Sequence, residues 1–307
     1  MENSTLDVPD PNVSVWRAPD QAYSLRWWLC LWVPVSGVVV FTFARLAFGP
    51  DALSPDGHLM TVSSLWLYLA LLAWLITSAK RSGLSLRATF GPRPRVQWLP
   101  EVGLVAWLHL QLNGVLFLML LAVIHHWLPE LSRGLGEAGA KAMSFGQTPA
   151  WLQWVIIVGL APLTEEWLFR GVLHHRFARR FGAGRAQLLT SAMFAVLHMN
   201  PFGVFALGMM LQALYRRSRS LTTCILAHAL NNAVPLSLLL WGRDAATPSA
   251  EVKATELQRI ANAWPAWVLM SAALIALLVW HLRGRWPTRQ ERTPWALAAA
   301  AEGPAPS

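Results

Sequence analysis

Long apolar runs alternate with short basic ones along most of the chain, and that alternation predicts membrane helices. A helix needs about 20 apolar residues to cross a hydrocarbon core of about 30 Å. Runs of that kind fall at 27–48, 60–78, 98–127, from 150 onward, 221–241 and 264–282. Two shorter segments, 187–199 and 202–215, reach only about 21 Å each at 1.5 Å per residue. They are expected to form a hairpin whose turn, His198-Met-Asn-Pro201, stays within the membrane. Such a turn is tolerated only where it packs against protein or lines a wet cavity. The expected fold is therefore all-α, a polytopic transmembrane helix bundle of about eight spans with a polar cavity in its cytoplasmic half.

The charges between the runs set the orientation, because cytoplasmic loops carry an excess of Lys and Arg. The segments 80–95 (Lys80, Arg81, Arg87, Arg93, Arg95), 176–185 (Arg176, Arg179, Arg180, Arg185), 216–219 and 283–292 are all basic. The links at 51–58, 128–149 and 242–262 are acidic or balanced and read as outside loops. Both termini then lie in the cytoplasm. Residues 1–24 are expected to be a cytoplasmic leader, 25–285 the transmembrane domain and 286–307 a disordered cytoplasmic tail rich in Ala and Pro. The polar start, with Glu2, Asp7 and Asp10, lacks the basic region of a cleaved signal peptide. Trp27, Trp28, Trp98, Trp127, Trp151, Trp241, Trp264 and Trp280 sit near span ends, as an aromatic belt would.

Composition agrees. The chain is 55% hydrophobic and 13% charged, where soluble domains carry about 25% charge. A net charge of +9 would point to nucleic acid in a soluble chain. Here the basic residues serve topology, so no nucleic-acid partner is expected, and the integral membrane location, with its Trp-rich, Arg-flanked spans, reads as a bacterial inner membrane. Cys30 and Cys224 both lie in apolar runs and read as reduced packing residues.

One stretch breaks the apolar pattern, Leu163-Thr-Glu-Glu-Trp-Leu-Phe-Arg-Gly171. Ionisable groups at membrane depth are costly and normally face a protein interior or a cavity. On a helix Glu166 and Arg170 lie one turn apart and pair, whereas Glu165 is rotated about 100° away and stays available. Pro162, just before the pair, removes one backbone hydrogen bond and predicts a kink. Two further groupings follow, Phe194-x-x-x-His198 and His228-x-x-x-Asn232. Counted from the cytoplasmic ends at 1.5 Å per residue, His228 lies about 10 Å deep, Asn232 about 16 Å and His198 about 17 Å, while Glu165, counted from the outer end of its helix across a core of about 30 Å, lies about 8 Å from the cytoplasmic side. Four polar groups on three helices thus fall in one slab. His109 and Asn113 share a face of the third span and read equally well as packing or cavity residues, with Gln111 on the opposite side.

A carboxylate, two imidazoles and an amide suit hydrolysis. A carboxylate withdrawn from water is a better general base near neutrality, a neighbouring imidazole shares the water, and the second imidazole with the amide donates to a tetrahedral oxyanion. The chain has neither Gly-x-Ser-x-Gly nor His-Glu-x-x-His, which removes support from serine-hydrolase and ordinary zincin readings.

Taken in order, Glu165-Glu166-x-x-x-Arg170, Phe194-x-x-x-His198 and His228-x-x-x-Asn232 resemble the CPBP family of intramembrane glutamic endopeptidases, which includes the CAAX prenyl endopeptidases and bacterial homologues. The resemblance covers about residues 150–240. It implies that Glu165 and His198 activate water, that His228 and Asn232 form the oxyanion site, and that Glu166 and Arg170 hold the helix. It also implies a membrane protein or peptide substrate, lipid-modified or not, and no cofactor. Two alternatives stay open at this point. The same Glu and His residues match the ligand types of a catalytic zinc site, and a non-enzymatic immunity or transport protein would also bury polar groups.

Overall fold

The computed structural model describes residues 42, 59–81, 89–131, 148–198, 200–242 and 250–287. The expected leader, all but one residue of the first span at 27–48, most of the 128–149 loop and nearly all of the tail lie outside the described residues. Within them the chain is helical and carries no strand.

Helix α1, Leu59–Arg81, ends on Lys80 and Arg81, whose charges oppose the negative end of the helix dipole. Helix α2, Leu99–Trp127, opens with Pro100 and Glu101 in its first turn, both favourable there. Helix α3, Ala150–Phe181, is one long rod built from alternating turns. Two wider π turns, Trp154–Leu160 and Trp167–Leu173, flank the short α turn Ala161–Glu166. Gly182, at φ +81°, breaks the rod before α4, Ala183–Val196. Helix α5, Pro201–Ser218, starts on Asn200, whose Oδ1 accepts from the Gly203 N–H at 3.3 Å, and stops at the left-handed Arg219. Helices α6, Leu221–Gly242, α7, Ala250–Asn262, and α8, Trp264–Arg283, complete the bundle.

Helix α5 is the centre of the packing. Its residues 206–215 are buried without interruption, as expected of a helix surrounded on all sides. Helices α4, α2 and α6 pack around it. Its approach to α4 is close: a methyl group on Gly208 would lie 2.9 Å from the Ser191 Cβ. The outer surfaces of α2 and α8 expose Trp107, Phe117, Trp127, Leu269, Val279 and Trp280, an apolar exterior that suits lipid and would be anomalous in water.

Five described helices are long and apolar enough to cross a membrane: Ser63–Arg81, Val96–Trp127, Ala150–Phe181, Leu221–Trp241 and Trp264–Arg283. Five of the eight expected spans are thus present as such. The two short segments form the α4–α5 hairpin, with 14 and 18 residues, and neither is among those five. The 242–262 link differs from expectation, because more than half of it is helix α7, packed on α2 and α8. Its balanced charge marked it as a loop, yet Ala, Glu, Lys, Leu, Gln and Arg are strong helix formers. Trp267 on α8 secures it by donating to the Ile260 carbonyl at 3.1 Å.

Candidate active site

The site forms where α3, α4 and α6 meet, with α1 and α2 closing it. The α turn Ala161–Glu166 presents two adjacent carboxylates in different directions. Glu166 is fully buried and Arg170, one turn on, is almost so; Arg170 Nη1 donates to Glu166 Oε1 at 2.7 Å. Arg170 Nη2 also donates to the Gly208 carbonyl at 3.2 Å, which ties α3 to the core helix. The expected ion pair is therefore present.

Glu166 does more than the spacing indicated. The same Oε1 accepts a hydrogen bond from His228 Nδ1 on α6 at 2.9 Å. A carboxylate only accepts, so the Nδ1 of His228 carries a proton and its Nε2 turns elsewhere. That Nε2 lies 3.9 Å from Glu165 Oε2. His198, in the turn after α4, has the same arrangement: Nδ1 donates to the Phe194 carbonyl at 2.7 Å, and Nε2 lies 3.9 Å from Glu165 Oε2. A separation of 3.9 Å is too long for a direct hydrogen bond and short enough for one water to touch both groups. Glu165, His198 and His228 are thus brought together in one cluster. His198 is the open side, with a third of its side chain accessible, while His228 is buried.

Phe194 is the wedge beneath them. Fully buried, its ring lies tilted against His198 at 4.7 Å, meets His228 edge-on at 5.7 Å and Phe169 at 5.2 Å, and carries the Arg170 guanidinium 4.8 Å above it. One aromatic ring fixes the relative positions of both histidines and the arginine.

Asn232 lies on the same face of α6 as His228, but its amide is already engaged. Nδ2 donates to the Ile157 carbonyl at 2.9 Å, and Oδ1 accepts from Asn231 Nδ2 at 3.4 Å. One amide proton remains. His109, buried on α2, joins the same network through Nδ1 and Asn231 Oδ1 at 2.6 Å. Asn113, one turn on, accepts from Asn200 Nδ2 at 2.8 Å, while Gln111 is exposed on the far side of the helix as expected.

Two participants belong to no motif in the sequence. Tyr68 on α1 donates from Oη to Glu165 Oε1 at 3.0 Å, and Asn231 links His109 to Asn232. A tyrosine hydroxyl inside an apolar span needs a partner, which is the available signal for Tyr68. Asn231 is hidden beside its neighbour Asn232. Tyr68→Phe is expected to lower kcat about tenfold and to lower the thermal midpoint in detergent modestly, since one hydrogen bond to a charged group is worth about 1.5–3 kcal/mol. Steady-state cleavage by the two proteins tests it, and an unchanged kcat would leave Tyr68 a packing residue.

The donor chemistry of one carboxylate and two imidazole Nε2 atoms resembles a catalytic zinc set, although among the described residues no three His, Cys, Asp or Glu side chains group closely enough to hold a metal ion. Residues 147–234 match the family model described as Rce1-like, type II CAAX prenyl endopeptidase Rce1-like. The match spans less than a third of the chain, so the likeness is to that stretch alone. Comparison with curated proteins and with solved structures finds no match. The family match agrees with the resemblance drawn from the three motifs and supports a membrane-embedded peptidase. Glu165, Glu166, Arg170, His198, His228 and Asn232 all lie inside the Rce1-like stretch, whereas Tyr68, His109 and Asn113 reach the site from spans outside it.

Proposed function

We propose that the chain is an intramembrane endopeptidase that cuts a peptide bond in a membrane-associated or lipid-modified protein or peptide. The observation that carries this reading is the Glu165 carboxylate lying 3.9 Å from two Nε2 atoms whose Nδ1 partners are fixed. Glu165 takes a proton from a water held against His198, and the resulting hydroxide adds to the scissile carbonyl. The oxyanion is met by the His228 ring edge that carries Nε2 and by the remaining Asn232 N–H. Glu165 then returns its proton to the departing amine, and the C–N bond breaks. Glu166 and Arg170 hold α3, and Glu166 also orients His228. No cofactor enters this scheme. The site opens toward the cytoplasmic half of a bacterial inner membrane with both chain termini inside, so a reporter fused after Arg180 reads as cytoplasmic.

The test compares peptide termini in cells carrying the wild type and Glu165→Ala. Termini that vanish in the variant identify the substrate, and a variant with the full cellular phenotype would return the protein to the immunity or transport reading. The donor types of Glu165, His198 and His228, one carboxylate and two imidazoles, motivate a second reading, zinc hydrolysis, although as placed they stand too far apart to hold the ion. Purified protein dialysed against a chelator is expected to keep its activity. Loss that added zinc restores would establish the metal enzyme.

A further inference from the structure

The first π turn of α3 leaves one carbonyl without a backbone donor. In Trp154–Leu160 the hydrogen bonds run over five residues, and the Ala161 N–H accordingly reaches the Ile156 carbonyl. The next carbonyl, that of Ile157, would take the N–H of residue 162 in the same register. Residue 162 is proline, which has none. Buried carbonyls deep in a membrane protein are almost always paired, and here the partner is the Asn232 amide at 2.9 Å.

That amide is itself held by a chain of side chains. Asn231 Nδ2 faces Asn232 Oδ1 at 3.4 Å, so Asn231 presents its oxygen to His109 Nδ1 at 2.6 Å, and His109 is the donor. The chain crosses three helices, from α2 through α6 to α3. At its α6 end it sits one turn beyond His228. At its α3 end it grips the residues that lead directly into the Ala161–Glu166 turn. It therefore joins the helix that carries Glu165 to the helix that carries His228, where their side chains stand 3.9 Å apart.

We propose that His109 and Asn231 are positioning residues of this site, acting through Asn232 to replace the hydrogen bond that Pro162 removes and so to fix the distance between Glu165 and His228. The activity readout rests on the hydrolase reading; the stability readout does not. His109 contributes from outside the Rce1-like stretch, and its role belongs to the π turn in this chain rather than to the chemical step. The hydrogen bonds of His109 and Asn231 go to each other and to Asn232, not to the Glu165 carboxylate.

The decisive experiment is a suppressor test on the full-length protein. His109→Leu and Asn231→Leu are each expected to lower kcat about five- to tenfold with little change in KM, because they loosen a hydrogen-bonded clamp. Each also lowers the thermal midpoint in detergent. His109→Gln, which keeps a donor for Asn231, stays close to the wild type. Pro162→Ala restores an N–H for the Ile157 carbonyl, so combining it with His109→Leu or Asn231→Leu recovers most of the lost midpoint and kcat. If Pro162→Ala recovers neither quantity in either background, the clamp is overturned. If it recovers the midpoint while no protein in the series, wild type included, cleaves peptide, the clamp stands and the hydrolase reading fails.

Discussion

Glu165→Gln is expected to lower peptide cleavage by about 10³–10⁴-fold, the upper range for loss of a general base, with the thermal midpoint at or slightly above that of the wild type. The glutamine carbonyl still accepts from Tyr68, so the bond observed at 3.0 Å survives. Size and shape are kept, and the wedge of Phe194 under both histidines is untouched. What disappears is the ability to take a proton from water. Removing a charge from a mostly buried position also removes its desolvation cost, which is why the protein does not weaken. Steady-state cleavage beside a detergent melting curve reads both quantities. A variant that retains cleavage within tenfold of the wild type would remove Glu165 from the role of base.

The helical period makes much of this site legible in the amino-acid sequence. Glu166 and Arg170, Phe194 and His198, and His228 and Asn232 are each four residues apart, and that spacing survives in the ion pair, the tilted ring contact and the shared face of α6. Glu165, His198 and His228 do come together, each imidazole Nε2 lying 3.9 Å from Glu165 Oε2, although the 1.5 Å rise used to place them holds only for the α-helical turns and not for the two π turns of α3. The period also hides something. Pro162 announces a disturbed backbone, yet the disturbance is a π turn that shifts register ahead of the proline, and a hydrophobic pattern has no mark for such a turn. The role of Asn232 as partner of the Ile157 carbonyl follows from that shift and leaves no trace in the spacing. Tyr68 comes from a span without a motif, and its contact depends on how α1 packs on α3. Helix α7 is concealed when charge is read for topology alone, although its residues also favour a helix.

The two glutamates separate most sharply in stability. Glu166→Gln is expected to destabilise the protein by about 3–5 kcal/mol, the usual cost of breaking a buried pair by removing one member. Arg170, which is almost wholly inaccessible, loses its anionic partner at 2.7 Å, although the Gly208 carbonyl and the Phe194 ring remain against it. Glutamine also brings an NH₂ group to the place of Oε2, a buried atom that takes no hydrogen bond. Arg170→Ala should weaken the protein to a similar degree, because Glu166 is then the orphaned charge. Replacing both, as Glu166→Leu with Arg170→Met, recovers a substantial part of the stability, since an apolar pair of similar volume often substitutes well for a buried ion pair. Activity does not return with it. His228 would have no acceptor for its Nδ1 proton, and the tautomer that points Nε2 at Glu165 would no longer be held. A double variant that regains both stability and cleavage would reduce Glu166 to a strut, and one that regains stability alone identifies it as the residue that orients His228.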